Sequence, residues 1–261
     1  MPGLVCPAIV AHRGASAHHP ENTLAAFDAA ITAGADMIEL DVRLTADGVP
    51  VVIHDQDVAL TTDGTGLISE LTMAQVTDLN AGARWQRRES VPTLREALTL
   101  LRGRAAVEID VKNDPGEPGY DPSRQVLADE VLKLLDALRF ASAIVTSENP
   151  RTVEWVRRHA PWIATGVEAE GSADLGDLLV YSAARGYAFV LPSADAVLAA
   201  GREFADHAHE LGVQLDVWTV DDPDTVAELF AWGVDAIETN DPAMAAPIRD
   251  QARLAGRHAR G

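Results

Sequence analysis

Two short apolar segments of this chain end in histidine, at His12 and His54, and the segment between them carries two carboxylates. In residues 37–42, Glu39 and Asp41 alternate with apolar residues, so both carboxylates lie on one face of a strand. Neighbouring buried carboxylates repel each other and lose hydration unless a cation or a proton compensates them. The pattern favours a divalent metal ion flanked by two imidazoles, which suits chemistry on a charged substrate.

A second acidic segment repeats this pattern further along the chain. In residues 106–112, the same alternation places Glu108, Asp110 and Lys112 on one face. Later apolar runs also end in polar or aromatic side chains: Ser147, Glu168, Trp218 and Thr239. Any one of these residues has an ordinary structural explanation, but their joint occurrence at successive strand ends indicates a shared site.

The elements that must position these residues alternate along the chain. Strand-like runs lie near residues 7–11, 36–42, 50–53, 105–111, 143–147, 162–167, 187–191, 213–218 and 235–239. Helical patterns lie near residues 23–33, 93–101, 123–138, 150–159, 174–185, 195–211, 223–232 and 242–253. About eight strand–helix units in 261 residues predict an α/β protein with a TIM (β/α)8 barrel, and an open doubly wound sheet is the alternative. In a barrel the active site lies at the carboxyl ends of the strands.

We expect one domain spanning residues 1–261. Residues 55–92 interrupt the alternation and are too few for a separate core, so they predict a small insertion after the strand that ends at His54. The basic, alanine- and glycine-rich segment 253–261 predicts a flexible tail.

The composition restricts the possible partners. A formal net charge of −19 argues against nucleic acid and against stable association with an anionic membrane. The same charge repels anionic substrates, so phosphate chemistry needs a local positive centre. Cys6 is the only cysteine, which excludes an internal disulfide, and the first residues lack the features of a signal peptide. We therefore expect a cytoplasmic protein that is a monomer or a homodimer and acts on a small molecule.

A series of motifs resembles the glycerophosphodiester phosphodiesterase family, in the order that the family shows. The motifs are His12-Arg13-Gly14, Pro20-Glu21-Asn22-Thr23, Glu39-Leu40-Asp41-Val42, the segment 45–55 ending in His54-Asp55, Val91-Pro92-Thr93-Leu94, Val217-Trp218-Thr219-Val220, Gly233-Val234-Asp235 and Thr239-Asn240-Asp241-Pro242. No single motif is specific, but together they cover residues 8–242.

The resemblance implies a TIM barrel that uses a metal ion to cleave glycerophosphodiesters into an alcohol and sn-glycerol 3-phosphate. It also implies that a neighbouring glycerol hydroxyl attacks the phosphorus and forms a cyclic phosphate. The implied roles are metal ligation by Glu39 and Asp41, acid–base catalysis by His12 and His54, and substrate binding by Arg13, Lys112 and Trp218. The sequence leaves open which histidine is the acid and which is the base.

The third metal ligand is where the chain departs from the family pattern. The family reads Asn-x-Glu-x-Lys, and this chain reads Glu108-Ile109-Asp110-Val111-Lys112. With Lys112 as the anchor the ligand is Asp110, whereas a shift of two residues makes it Glu108 and removes the lysine. We favour Asp110, because Lys112 supplies positive charge for a phosphoryl group. Oxygen ligands suit one Mg²⁺ or Ca²⁺ ion.

Two other functions remain open at this level. A phospholipase D-like enzyme acting on lysophospholipids or sphingolipids predicts an exposed apolar rim in the insertion, where the apolar residues are sparse. A barrel that only binds glycerophosphodiesters would need a missing catalytic group, but both histidines and both carboxylates of residues 37–42 are present. A second departure is Glu148, which stands where the family commonly has an aromatic residue near the substrate.

Overall fold

A computed structural model describes residues 5–118, 120, 124–169 and 175–258. Eight parallel strands close into a barrel, because the strand Ala8–Ala11 pairs with both Met37–Leu44 and Ala236–Thr239. The closure confirms the predicted TIM barrel and excludes the open sheet. The strands are β1 (Ala8–Ala11), β2 (Met37–Leu44), β3 (Pro50–Val52), β4 (Ala106–Val111), β5 (Ala143–Ser147), β6 (Ala164–Ala169), β7 (Phe189–Pro192), β8 (Gln214–Val217) and β9 (Ala236–Thr239).

Strand β3 is not part of the barrel wall, although the sequence pattern treats it like the other strands. It pairs antiparallel with the end of β2, with Val52 opposite Val42. β1 pairs only with the first two residues of β2, so the end of β2 is left open on that side and β3 pairs there. The chain therefore folds back toward the barrel, and His54 reaches the mouth directly after β3.

The helices cover the outside of the barrel. They are α1 (Leu24–Thr32), α2 (Met73–Thr77), α3 (Leu94–Leu101), α4 (Val126–Ala137), α5 (Pro150–His159), α6 (Leu175–Arg185), α7 (Ala194–Ala200), α8 (Arg202–Glu210), α9 (Pro223–Trp232) and α10 (Pro242–His258). The single helix predicted over 195–211 is wrong, because Gly201 adopts φ +78° and divides it into α7 and α8. Within the described ranges, no helix has the length and apolar character needed to cross a membrane.

The segment 253–261 differs from the flexible tail that its composition predicts. Helix α10 continues to His258, and residues 259–261 lie outside the described part of the chain. The Arg253 side chain donates to the Pro7 carbonyl at 2.9 Å and pairs with Asp36 at 3.0 Å. These contacts hold α10 against the amino-terminal end of β1.

The insertion packs on β3 rather than forming a core of its own. It contains α2 and three short 3-10 turns, Val58–Leu60, Ile68–Glu70 and Ala83–Trp85. Val58, Ile68 and Val76 are buried against Val51 and Ile53 of the hairpin segment. The insertion therefore extends the wall of the mouth beside His54.

The period-two alternation of the strands separates the two faces of the barrel wall. On β4, Val107, Ile109 and Val111 pack outward against the helices, so Glu108 and Asp110 face the interior. Small and apolar side chains fill the lower interior: Ala8, Val10, Met37, Ile144, Phe189, Leu191 and Ala236. The acidic side chains therefore lie between this apolar floor and the open mouth.

Candidate active site

One cavity of about 190 Å³ lies at the carboxyl ends of the barrel strands. It brings together the eight residues to which the sequence analysis assigns catalytic, binding or metal-ligating roles, together with three glutamates. Ser147 and Thr239, which also end strands, are not among its lining residues. The lining residues are His12, Arg13, Glu39, Asp41, His54, Asp110, Lys112, Glu148, Glu168, Trp218 and Glu238. The structure thus collects side chains from both ends of the sequence around one space.

The loop after β1 directs Arg13 into the cavity. Arg13 has φ +57°, and its backbone N–H donates to Glu39 Oε2 at 2.7 Å. Gly14 has φ +84°, and a Cβ atom there would lie 2.7 Å from the Ala26 carbonyl carbon. Any larger residue at position 14 would therefore displace the loop from α1. In this conformation Arg13 Nε lies 3.2 Å from Asp41 Oδ2.

The segment before α1 supports the same pair of residues, a role that the sequence reasoning missed. Glu21 Oε1 lies 3.0 Å from Arg13 Nη1. Asn22 is buried with φ +56°, and its Nδ2 donates to Asp41 Oδ2 at 2.7 Å. Thr23 caps α1 by accepting from the Ala26 N–H. The signal available in the sequence was an acidic residue and an asparagine directly before a helix cap.

Lys112 compensates two of the buried carboxylates. Its Nζ pairs with Asp110 Oδ2 and lies 3.4 Å from Asp41 Oδ1. Burial disfavours the charged ammonium, but the carboxylates of Asp110 and Asp41 outweigh it and raise the pKa of Lys112. Burial likewise opposes ionisation of Asp41, yet Lys112 and Arg13 keep the pKa of Asp41 well below its usual value. Asp41 is therefore ionised.

The pKa values of four other cavity acids shift the opposite way, even though Lys112 also pairs with Asp110. Burial and repulsion from neighbouring carboxylates raise the pKa values of Glu39, Asp110, Glu168 and Glu238. Six carboxylates face only two permanent cations in the cavity. Such a site would repel an anionic phosphodiester, so it is electrostatically suited to a divalent cation.

The predicted metal ligands fit such an ion chemically. Glu39, Asp41 and Asp110 all line the cavity and offer hard oxygen donors. Asp110 Oδ1 is buried without a hydrogen-bond partner, which leaves one donor atom available. Glu108, the alternative third ligand, faces the interior and is not part of the cavity lining.

Glu238 was missed by the sequence reasoning, which considered only Thr239 at the end of β9. Ligand atoms of His12, Glu39 and Glu238 lie within 4.8 Å of one another. The signal was available, because Glu238 is a charged residue within the otherwise apolar β9. Its proximity to β1 and β2 depends on barrel closure, since β9 pairs with β1 and places Glu238 beside Val10.

His12 is held by a chain of hydrogen bonds that ends at a carboxylate. Asn240 Nδ2 donates to Asp221 Oδ2 at 2.6 Å, so Asn240 Oδ1 faces His12 Nδ1 at 2.9 Å. Ser16 Oγ also donates to this oxygen. The amide oxygen accepts the Nδ1 proton, and Nε2 is left as the basic nitrogen. Burial and the nearby Arg13 lower the pKa of His12 to about 4, so the ring is neutral at pH 7.

His54 has a different partner. Its Nδ1 lies 3.0 Å from the carboxylate oxygen Oδ1 of Asp55, whereas the partner of His12 is a neutral amide. Arg43 Nε donates to the His54 carbonyl and fixes the backbone after β3. The two histidines therefore have chemically different partners at Nδ1, a carboxylate for His54 and an amide for His12.

The mouth of the cavity continues into a groove on the insertion. Arg13 and His54 line both spaces, and the groove adds Leu60 and Trp85 from the insertion. Across the cavity, Trp218 Nε1 donates to the Leu191 carbonyl at 2.8 Å, which fixes its ring at the cavity wall. At the mouth, Glu148 Oε1 lies 4.0 Å from the ammonium of Lys112.

A closed (β/α)8 barrel with two histidines, two cations and a carboxylate cluster at its mouth defines a phosphodiesterase of the TIM-barrel class. The chain belongs to the Glycerophosphoryl diester phosphodiesterase family, whose sequence model matches residues 12–244. The family predicted from the motifs is thereby confirmed.

Relatives over nearly the whole chain agree with this membership. The chain is 35% identical to YhdW of Bacillus subtilis over 90% of this chain and 94% of that protein. It is 32% identical to the glycerophosphodiester phosphodiesterase of Caldanaerobacter subterraneus, with the same coverage of each chain. The crystal structure of a glycerophosphodiester phosphodiesterase from Agrobacterium tumefaciens superposes with a TM-score of 0.77 at 28% identity, covering 92% of this chain and 99% of that one.

Proposed function

We propose that this protein hydrolyses glycerophosphodiesters to an alcohol and sn-glycerol 3-phosphate with the help of one divalent metal ion. The observation that carries the proposal is the cavity itself. It places two differently partnered histidines, Arg13 and Lys112 around the same carboxylate cluster. Membership of the family supports the substrate class.

Glu39, Asp41 and Asp110 would hold the metal ion, and Mg²⁺ or Ca²⁺ suits their oxygen donors. The bound ion would supply positive charge that polarises the phosphoryl group. The position of Asp110 in the cavity supports it over Glu108 as the third ligand. With this choice Lys112 keeps its place beside the ligands.

Arg13 and Lys112 are proposed to bind the phosphoryl oxygens. Both side chains are permanently charged, because the adjacent carboxylates raise their pKa values despite burial. Donors held in place by their partners can stabilise charge on a phosphoryl group without reorganising. Glu21 and Asn22 are positioning residues in this scheme, since they fix Arg13 and Asp41.

The two histidines divide the proton transfers. His12 is neutral at pH 7 and its Nε2 is free to accept a proton, so we assign it as the general base that activates the attacking hydroxyl. His54 lies beside Asp55 and borders the groove on the insertion, so we assign it as the general acid that protonates the departing alkoxide. The leaving alcohol would then occupy that groove. Water would afterwards open the cyclic phosphate, which breaks one ring P–O bond and gives sn-glycerol 3-phosphate.

The groove on the insertion bears on a second substrate class, the lysophospholipids. Leu60 is 51% exposed and Trp85 is 42% exposed, and both line the groove. An apolar surface of this kind beside the general acid would accommodate part of a lysophospholipid. Two exposed side chains form a small apolar rim, so a water-soluble glycerophosphodiester is the better match.

Product release tests the proposal directly. The metal-depleted protein would be incubated with glycerophosphocholine, glycerophosphoethanolamine and lysophosphatidylcholine while Mg²⁺, Ca²⁺ and Mn²⁺ are titrated in turn. We expect sn-glycerol 3-phosphate from the first two substrates only when metal is present. Absence of product with every metal would refute the enzymatic proposal, and preferred turnover of the lysophospholipid would select the second substrate class.

A further inference from the structure

A second group of carboxylates lies in the barrel interior, where the proposed reaction does not use it. Glu108 on β4, Asp216 on β8 and Glu238 on β9 have ligand atoms that all lie within 4.8 Å of one another. Glu108 and Asp216 do not line the catalytic cavity, whereas Glu238 does. We call Glu108, Asp216 and Glu238 the interior triad.

Strand pairing and the alternation of side chains show at which depth of the barrel the triad lies. Glu108 pairs with Glu39 across the β2–β4 ladder, two residues before Asp110. Asp216 precedes Trp218 by two residues, so both side chains lie on the interior face of β8. The triad therefore lies closer to the apolar floor than Asp110 and Lys112 do.

The triad is deeply buried and lacks compensation. Glu108 is 1% exposed, Asp216 is 0% exposed and Glu238 is 4% exposed. Both carboxylate oxygens of Glu108 and both of Asp216 are buried without a hydrogen-bond partner. In the part of the chain that the structure describes, no lysine or arginine forms an ion pair with any of the three.

Buried carboxylates without partners lose hydration and repel one another, so a native protein retains them when something else compensates their charge. A proton shared between Glu108 and Asp216 would compensate only those two carboxylates. A cation among the three would be bound by all of them at once. Glu238 also lines the catalytic cavity, so one member of the triad borders open space.

We propose that Glu108, Asp216 and Glu238 form a second divalent-cation site, below the catalytic cavity and separate from Glu39, Asp41 and Asp110. Three carboxylates provide hard oxygen donors of the kind that bind Mg²⁺, Mn²⁺ or Ca²⁺. The second site can be tested independently of the catalytic proposal, because the test measures bound metal ions rather than turnover.

Manganese stoichiometry tests this site. The metal-depleted protein would be dialysed against Mn²⁺ and its metal content measured, and crystals soaked in Mn²⁺ would be examined for anomalous scattering. We expect about two equivalents in the unchanged protein, one at each set of carboxylate ligands. We expect about one equivalent in Asp216→Asn and in Glu108→Gln, with the anomalous peak at the triad lost. Asp136→Asn, on the exposed surface of α4, is the matched control and should retain both ions.

Two results would overturn the site. They are an undiminished metal content in both triad variants and no anomalous peak among the three carboxylates of the unchanged crystal. A shared proton would instead give the infrared band of a protonated carboxylic acid in the metal-saturated protein, and that band would disappear in Asp216→Asn. The substitutions remove buried charge and preserve side-chain shape, and the crystal of the unchanged protein decides the question even if a variant fails to fold.

Discussion

The barrel interior holds buried carboxylates at two levels, and the protein compensates only one of them with its own side chains. Near the mouth, Asp41 contacts both Arg13 and Lys112, and Lys112 also pairs with Asp110. Deeper in the barrel, Glu108 and Asp216 are equally buried, but no lysine or arginine among the described residues pairs with them. Burial alone therefore does not distinguish the two groups of carboxylates. They differ in whether cationic side chains of the protein lie beside them.

The position of the loops explains this difference. Arg13 and Asn22 belong to the chain between β1 and α1, and Lys112 directly follows β4, so all three can reach carboxylates at the strand ends. The interior triad is enclosed by the barrel wall and lies near the apolar floor. Among the described residues, no lysine or arginine pairs with it.

The largest effect should come from the histidines, which belong only to the upper level. His12→Ala and His54→Ala should each lower kcat by about 10²–10⁴-fold, because each removes one proton transfer. Both variants should keep their bound metal, measured by metal content. His207→Ala on the exposed surface of α8 is the control and should be fully active. Activity in the double variant would contradict the acid–base assignment.

Substitution of Lys112 tests whether this side chain compensates the buried carboxylates near the mouth. Lys112→Met should lower the free energy of unfolding of the metal-free protein by about 3–5 kcal/mol, because it leaves Asp110 buried without its cation and Asp41 with Arg13 alone. Urea unfolding would measure this loss, and bound Mg²⁺ should restore part of it. Lys133→Met removes an exposed pair with Glu130, so it should change stability by less than about 1 kcal/mol. Equal effects of the two substitutions would refute the comparison.

Substitutions of Asp110 and Glu108 test which of the two residues is the third ligand of the catalytic metal, and therefore which carboxylates belong to the upper level. Asp110→Asn should weaken the catalytic metal by more than the roughly 10–100-fold that changes around metal ligands usually cause, since it removes a ligand. Glu108→Gln should leave the metal dependence of turnover within a few-fold of the unchanged protein. Metal titrations of activity would measure both. If Asp110→Asn left the metal affinity unchanged, Glu108 would be the third ligand instead.

The smallest predicted effect is a shift in the acid limb of the pH–rate profile. The general base must be unprotonated, and burial together with Arg13 lowers the pKa of His12 to about 4. With saturating metal, kcat/KM should therefore remain nearly constant from pH 7 down to about pH 5 and then fall as His12 becomes protonated. An acid limb centred near the ordinary imidazole pKa of about 6.5 would contradict the environment assigned to His12.

Periodicity and composition determined much of this protein from sequence alone. The alternation of strands and helices predicted the barrel, and the period of two placed Glu39, Asp41 and Asp110 on its inner face. The strand-end rule placed seven of the eight predicted site residues at one mouth, and Arg13 came from the family resemblance. The structure brings all eight to a single cavity. These features are local or follow from one general property of barrels.

The tertiary structure alone decided which side chains meet across strands. Periodicity predicts whether a side chain points into the barrel or out of it. It does not predict which side chains of other strands lie beside it, because barrel closure and strand register determine those neighbours. Glu238 therefore reaches His12 only through the pairing of β9 with β1, and Asp216 reaches Glu108 from a strand far away in the sequence. The antiparallel turn of β3 and the support of Asp41 by Asn22 likewise depend on how distant segments pack together.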